Sequence, residues 1–288
     1  WIKMKNKRTH FNDGSFLLFD SKNMGVTDHK NLAHFAFTDA LIQYSGVNNQ
    51  AIIHFWQTDP LVILGMMDTK IGHFDKGLKV FDQYEHDYMI RNSGGLAVVS
   101  DPGVLNLSLI YPSKKDQRFS IDEGYEYMLD FIRQTFYPHF PTEKIEAFEV
   151  KHSYCFGDYD LSINGQKIAG ISQRRIKDGV AIMLYISING NQKKRTQMLK
   201  EFYERGLDGS EAKGRYPDIK TEVMTTMEDA YQSELSVPEV KKMMLKHFDW
   251  SKGKYNKKIK ASFDQALEKM YQRNIRFLGE AYVQKKLS

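Results

Sequence analysis

Asp160-Leu161-Ser162-Ile163-Asn164-Gly165-Gln166-Lys167-Ile168-Ala169-Gly170-Ile171-Ser172, with Val180–Ile186 following after Asp178-Gly179, is the stretch on which the fold turns. Short runs rich in β-branched and apolar residues are joined by Asn164-Gly165 and Asp178-Gly179. Both dipeptides suit the positive φ angles of type I′ hairpin turns. The pattern predicts antiparallel strands over Asp160–Ile163, Lys167–Ser172 and Val180–Ile186. A parallel pair would need a crossover of about a dozen residues or more between them, and there is no room for one.

Upstream, Tyr88–Arg91, Leu96–Val99 and Val104–Ile110 are further apolar runs, punctuated by Ser93-Gly94-Gly95 and Asp101-Pro102-Gly103. Ala51–Trp56 and Leu61–Gly65 flank Thr58-Asp59-Pro60, which predicts another hairpin. Ser15–Asp20 reads as an opening strand. Helical spacing marks the stretch from an N-cap at Asp28 to Gly46 through Leu32, Phe35, Ala36 and Ala40. It recurs in Ser120–Phe136, Met198–Arg205 and Val237–His247, and a mixed stretch before Asp87 also reads as helical. Strands outnumber βαβ crossovers, so the expected class is α+β, a mixed, largely antiparallel sheet flanked by helices.

The 288 residues carry 41% apolar and 27% charged residues, enough apolar mass for a sizeable core. No run approaches the ~18 apolar residues of a membrane span. The basic start, Trp1 to Arg8, has no apolar run behind it and does not read as a secretory signal. One cysteine, Cys155, excludes an internal disulfide and any multi-thiolate zinc site. A cytoplasmic protein that touches neither membrane nor nucleic acid is the simplest expectation. The net charge of +5 is uneven: Ser251–Ser288 carries +7, the first eight residues +4, and residues 9–250 about −6. A nucleic-acid binder would spread a basic stripe over its body. Residues 1–250 are therefore expected to form the functional domain. The stretch 251–288, where Phe263, Ala266, Leu267, Met270, Ile275, Leu278 and Tyr282 follow a helical period, is expected to be a basic helical extension that packs back on the body. Its charge suits an acidic protein partner or simple solvation.

The nine histidines form no metal-binding spacing, and no P-loop, Gly-x-Gly-x-x-Gly or Gly-x-Ser-x-Gly motif occurs. Two candidates for chemistry remain. Cys155 lies among polar and flexible residues, Lys151-His152-Ser153-Tyr154-Cys155-Phe156-Gly157-Asp158. Lone cysteines are usually inert core residues, but a nucleophilic thiol needs access and a nearby cation, for which Lys151, His152 and Lys167 stand close in sequence. The second candidate is Arg91-Asn92-Ser93-Gly94-Gly95. Two glycines let backbone approach a ligand closely, although the same residues also suit a plain hairpin turn.

These two blocks carry a resemblance. Arg91-x-Ser93-Gly94-Gly95 with Asn106-x-Ser108 resembles the signature of lipoate-protein ligases and their acyltransferase relatives, and Trp56-x-x-Asp59-Pro60-x-Val62-x-x-Gly65 is similar to their early hairpin. The block Tyr154-Cys155-x-Gly157-x-Tyr159-Asp160 through Lys167-x-Ala169-Gly170-Ile171-Ser172-Gln173 is more specific. It resembles the N-octanoyltransferases of low-GC Gram-positive bacteria that take octanoyl from the glycine-cleavage H protein. The match spans about residues 50–250. It implies a catalytic domain of the lipoate-protein ligase/biotin ligase type that works without a cofactor. It also implies Cys155 as the acyl-thioester nucleophile and Lys167 beside it, lowering the thiol pKa and orienting the acyl carbonyl. Arg91, Ser93, Gly94, Gly95, Asn106 and Gly170 would line the substrate pocket. The donor would be octanoylated H protein, and the acceptors lysines on E2 lipoyl domains of 2-oxoacid dehydrogenases.

Three alternatives stay open at this point: an octanoyltransferase fed by acyl carrier protein, an ATP-dependent lipoate-protein ligase, and a non-catalytic lipoyl-domain binding protein. An occluded Cys155 remote from Lys167 would favour the last.

Overall fold

A computed structural model describes residues 15–21, 30–114, 118–209 and 216–287. Its strands are β1 (Phe16–Asp20), β2 (Ile52–Trp56), β3 (Leu61–Leu64), β4 (Asp87–Ile90), β5 (Val98–Ser100) and β6 (Val104–Pro112). They continue with β7 (Ile145–Ala147), β8 (Asp160–Ile163), β9 (Gln166–Ile176), β10 (Gly179–Ser187) and β11 (Trp250–Lys252). The helices are α1 (Lys30–Asn48), α2 (Phe74–Gln83), α3 (Ile121–Phe136) and α4 (Gln192–Leu207), then α5 (Met227–Tyr231), α6 (Val237–Leu245), α7 (Lys257–Leu278) and α8 (Glu280–Lys286). The expected N-cap at Asp28 and the basic N-terminus lie outside the described residues.

The strands form an eight-stranded sheet, ordered β11-β1-β2-β6-β10-β9-β8-β7, and a three-stranded sheet, β4-β3-β5. Only the pairs of β1 with β2 and β11, and of β3 with β4, are parallel. The α+β class with a mixed, largely antiparallel sheet is thus observed. Asn164 and Gly165 turn with φ of 51° and 79°, as the type I′ expectation requires. The second turn sits one residue earlier than Asp178-Gly179. Ile176 pairs directly with Gly179, and Lys177 takes the positive φ. Nine-residue pairing of β10 with β6, starting at Gly179 opposite Pro112, draws Gly179 into the sheet and lengthens β9.

The Ala51–Trp56/Leu61–Gly65 hairpin does not form. β2 belongs to the large sheet and β3 to the small one, so Thr58-Asp59-Pro60 carries the chain between sheets. Thr58 is anchored by its hydroxyl, which donates to the Ser100 carbonyl at 2.8 Å.

Alternation along the strands divides the core. Ile53, Phe55, Leu107 and Leu109 face α3 and α6, meeting Met128, Phe131, Ile132, Val240 and Met244. Ile52, Ile110 and Ala181 face α1 and α7. The small sheet packs against α2, α4 and the end of the chain. Ser120 and Glu123 close a reciprocal capping box at the start of α3. Among the described residues, no helix is long and apolar enough to cross a membrane.

Two buried histidines make the fold sensitive to acid. His34 stacks on Trp56 at 5.1 Å, its Nδ1 has no partner, and burial lowers its pKa from 6.5 to about 4. Burial likewise pushes His54 well down. An imidazole with a depressed folded pKa is protonated first in the unfolded chain. Its contribution is therefore intact above pH 6.5 and is lost as pH falls towards 4. Asp68, pushed up by burial to about 6, works in the opposite direction over pH 4–6. Asp160, also pushed up by burial, works with Asp68, so the histidine contribution to the slope of stability against pH is read by urea unfolding of a variant beside the wild type. His34→Phe should reduce that slope by up to about 1.4 kcal/mol per pH unit while keeping the stack on Trp56.

Candidate active site

Cys155 lies in the loop before β8 with φ of 44°, a left-handed conformation that a residue with a Cβ keeps only when its surroundings hold it. The residue that holds it is Lys167 on β9. The lysine is fully buried, and its ammonium donates to the carbonyl oxygens of Tyr154 and Cys155, each at 2.9 Å. Ser153 Oγ lies at 3.4 Å and the Asp160 carboxylate at 2.8 Å. A buried ammonium persists only when paired and hydrogen-bonded in this way. Burial pushes the Asp160 carboxyl up, and Lys167 pulls it back down. The tight β8–β9 turn and a bulge at Leu161/Ser162 bring Lys167, Asp160 and the loop together. Lys167 thus meets Cys155, as expected, but through its carbonyl; none of the hydrogen bonds of Nζ goes to the thiol.

The cation at the thiol is Arg91, which follows β4. Its Nη2 is 3.7 Å from Cys155 Sγ and donates to the Leu96 carbonyl at 3.0 Å. Gly95 lies against both groups, with φ of 88°. A Cβ there would overlap the guanidinium and stand 3.6 Å from Sγ, so only glycine fits. Ser93-Gly94-Gly95 is not a hairpin turn, because β4 and β5 flank β3 from opposite sides. The loop is pinned by Asp39 of α1, which accepts from Asn92 Nδ2 at 2.8 Å and from Arg174 Nε and Nη2 at 2.5 and 2.7 Å. Arg174 is thus tied within the molecule by Asp39, with 24% of its side chain exposed. Arg175 is also engaged: it donates to the Phe119 carbonyl at 2.9 Å and lies over that ring.

A cavity of about 500 Å³ opens over the thiol, lined by Arg91, Ser93, Gly94, Gly95, Cys155 and Gly170, with Tyr125, Tyr159 and exposed Ile121 at its outer part. A second cavity of about 70 Å³, bounded by Phe35, Trp56, Ile63, Asn106 and Leu107, adjoins it and shares Arg91, Ser93, Gly170 and Tyr185 with it. Seven of the eight expected residues thus line one or other of these two adjoining cavities, and Lys167 stands behind them. The Tyr185 hydroxyl and Arg91 Nε, both bordering these cavities, are buried without a hydrogen-bond partner. Unsatisfied buried donors are costly and leave capacity for a ligand. Tyr185 escaped the sequence reading because it sits inside the apolar run of β10, with no local signal. Gly170 faces its ring: a Cβ there would come within 2.6 Å of Cε1. Gly170→Ala should therefore crowd the boundary shared by the two cavities and lower kcat/KM by about tenfold for an eight-carbon acyl donor, and less for a two-carbon one. Steady-state rates with the two donors check this.

The fold and cavity define a domain of the lipoate-protein ligase type. It superposes on a crystal structure of lipoate-protein ligase A bound with ATP with a TM-score of 0.65 at 16% identity, covering 93% of this chain and 99% of that one. A bi-partite lipoate protein ligase from Thermoplasma acidophilum gives the same score and identity, covering 93% and 96%. The lipoyl protein ligase A/B catalytic domain model matches residues 30–249, and the chain belongs to that family. The octanoyl-[GcvH]:protein N-octanoyltransferase of Macrococcus caseolyticus is 42% identical over 72% of this chain and 74% of its own length. That of Anoxybacillus flavithermus is 41% identical over 76% and 81%. A lipoyl-[GcvH]:protein N-lipoyltransferase of Listeria monocytogenes is 38% identical over 70% and 72%.

Proposed function

We propose that this chain moves an octanoyl group from the lysine of the glycine-cleavage H protein to lysines of E2 lipoyl domains, by way of a thioester on Cys155, in the cytoplasm. The observation that carries the reading is a half-buried thiol bordering a cavity that adjoins a smaller, mainly apolar one beside unsatisfied donors. The relatives' names supply the donor. Cys155 Sγ attacks the acyl carbon of the donor amide, the C–N bond breaks, and the lysine amine leaves after taking one proton from solvent, which the acceptor amine gives back in the second step. The acceptor amine then attacks the thioester, and sulfur departs as thiolate. One amide is lost and one is formed, so the exchange is near neutral and runs without ATP or another cofactor. Lys167 keeps the loop in its left-handed turn so that Sγ borders the cavity. A half-buried Cys155 that borders the cavity argues against a purely binding role.

Incubation of the chain with octanoylated H protein, followed by intact-mass spectrometry, should give one octanoyl adduct, lost on addition of a lipoyl domain. An adduct only from octanoyl-acyl carrier protein, or transfer only with ATP, would sink the proposal. Parallel incubation with lipoylated donor identifies the preferred acyl group.

A further inference from the structure

We propose that Arg91, rather than Lys167, supplies the positive charge that holds Cys155 as a thiolate, and that Lys167 acts as a positioning residue for the loop. This rests on Cys155 being the nucleophile. Three observations carry it. Arg91 Nη2 is the cationic group in contact with Sγ, at 3.7 Å, whereas Lys167 Nζ distributes its protons among two carbonyls, Ser153 and Asp160. Lys167 is neutralised by its contact with Asp160; among the described residues, Arg91 has no carboxylate within ion-pairing distance, so its charge is available to the sulfur. The backbone of Gly95 is shaped to admit that approach, since any side chain there would displace the guanidinium.

The surroundings leave Arg91 without a rival. His152, adjacent in sequence, donates from Nδ1 to the Asp218 carbonyl at 2.9 Å, with the Asp218 carboxylate at 3.5 Å. The phenols nearest the thiol, Tyr154 on its own loop, Tyr185 on β10 and Tyr203 on α4, are pushed up by burial and stay neutral. Asp158 borders the cavity, and Asp68 acts on Arg91 from beneath the Gly65 turn, where its carboxylate accepts from the Gly65 amide and the Tyr203 hydroxyl. An opposite charge this close lowers an acid's pKa by about 1–3 units. The unused Arg91 Nε–H remains available for the acyl oxygen.

The chain has one cysteine, so the pH profile of iodoacetamide alkylation reads this thiol alone. The wild-type midpoint should lie below the ordinary thiol value of about 8.5. Arg91→Gln should raise it by about 1–3 units, and Arg91→Lys by less. The first half-reaction of Arg91→Gln should be slowed at neutral pH and recover at higher pH. The paired variant Asp160→Asn/Lys167→Met, which removes both buried charges together, should lower the thermal midpoint and, by loosening the loop, move the alkylation midpoint by clearly less than Arg91→Gln does. A wild-type midpoint at or above about 8.5 overturns the proposal without any variant. So does an unmoved midpoint in Arg91→Gln, or a paired variant that moves it as far as Arg91→Gln does. The titration uses no acyl donor, so its failure is distinguishable from failure of the octanoyl-transfer reading.

Discussion

Cys155→Ser is expected to abolish octanoyl transfer, with a loss on the order of 10³-fold or more, the scale seen when a covalent enzyme loses its nucleophile. A thiol of pKa about 8.5 is within reach of one neighbouring cation, but a serine hydroxyl is not, and it would need a general base. The site offers none: Lys167 donates to four acceptors, and Arg91 is a permanent cation. The fold should survive, since the exchange is nearly isosteric at a half-buried position. Unchanged thermal unfolding together with the absence of any octanoyl adduct in the mass spectrum is the expected pair of results. A serine variant that transfers at the wild-type rate would place the reaction outside the thioester route.

Much of the site was legible because its chemistry is local in sequence. Asn164-Gly165 set a two-residue turn, and that turn brings Asp160 and Lys167 onto adjacent strands within one hairpin. Arg91 with Ser93-Gly94-Gly95, and Cys155 with its polar neighbours, were each visible as short unusual blocks. Their pairing was not, because Arg91 and Cys155 meet from 64 positions apart through the crossing of one sheet end over another. Lys167 reads as a surface lysine on a strand; only the carboxylate of Asp160 and two inward carbonyls make its burial tolerable. The lost hairpin has a different cause. β2 and β3 are buried along their whole length, so neither shows the polar alternation that would have said which face, or which neighbour, it takes. Arg174 and Arg175 alternate across β9, as strand geometry demands: Asp39 of α1 ties Arg174 down, while Arg175 stays exposed and reaches the Phe119 carbonyl.

Removal of residues 252–288 is expected to unfold the chain, not merely to strip it of a basic docking tail. α7 buries Ile259 and Phe263 against α1, where Phe263 meets Phe37 edge-on at 6.1 Å. Met270, Val283 and Leu287 complete the core of the small sheet. Losing a buried side chain of this size costs about 2–5 kcal/mol, so five together are comparable to or larger than the whole stability of a typical domain, about 5–15 kcal/mol. Polar contacts add to this. Asn274 accepts from the Ile90 amide at 2.7 Å and donates to its carbonyl at 3.1 Å; Tyr282 does the same for Tyr88 at 2.8 and 3.0 Å. These two side chains satisfy the open edge of β4, which the sheet leaves unpaired. β4 runs directly into Arg91, so the same contacts fix the guanidinium at the thiol. The milder change Asn274→Ala should therefore lower the thermal midpoint and slow alkylation of Cys155 at neutral pH, while charge reversal of exposed Lys257 or Lys258 should alter neither. A truncated chain that stays folded and alkylates normally would show that the helices are an appendage after all.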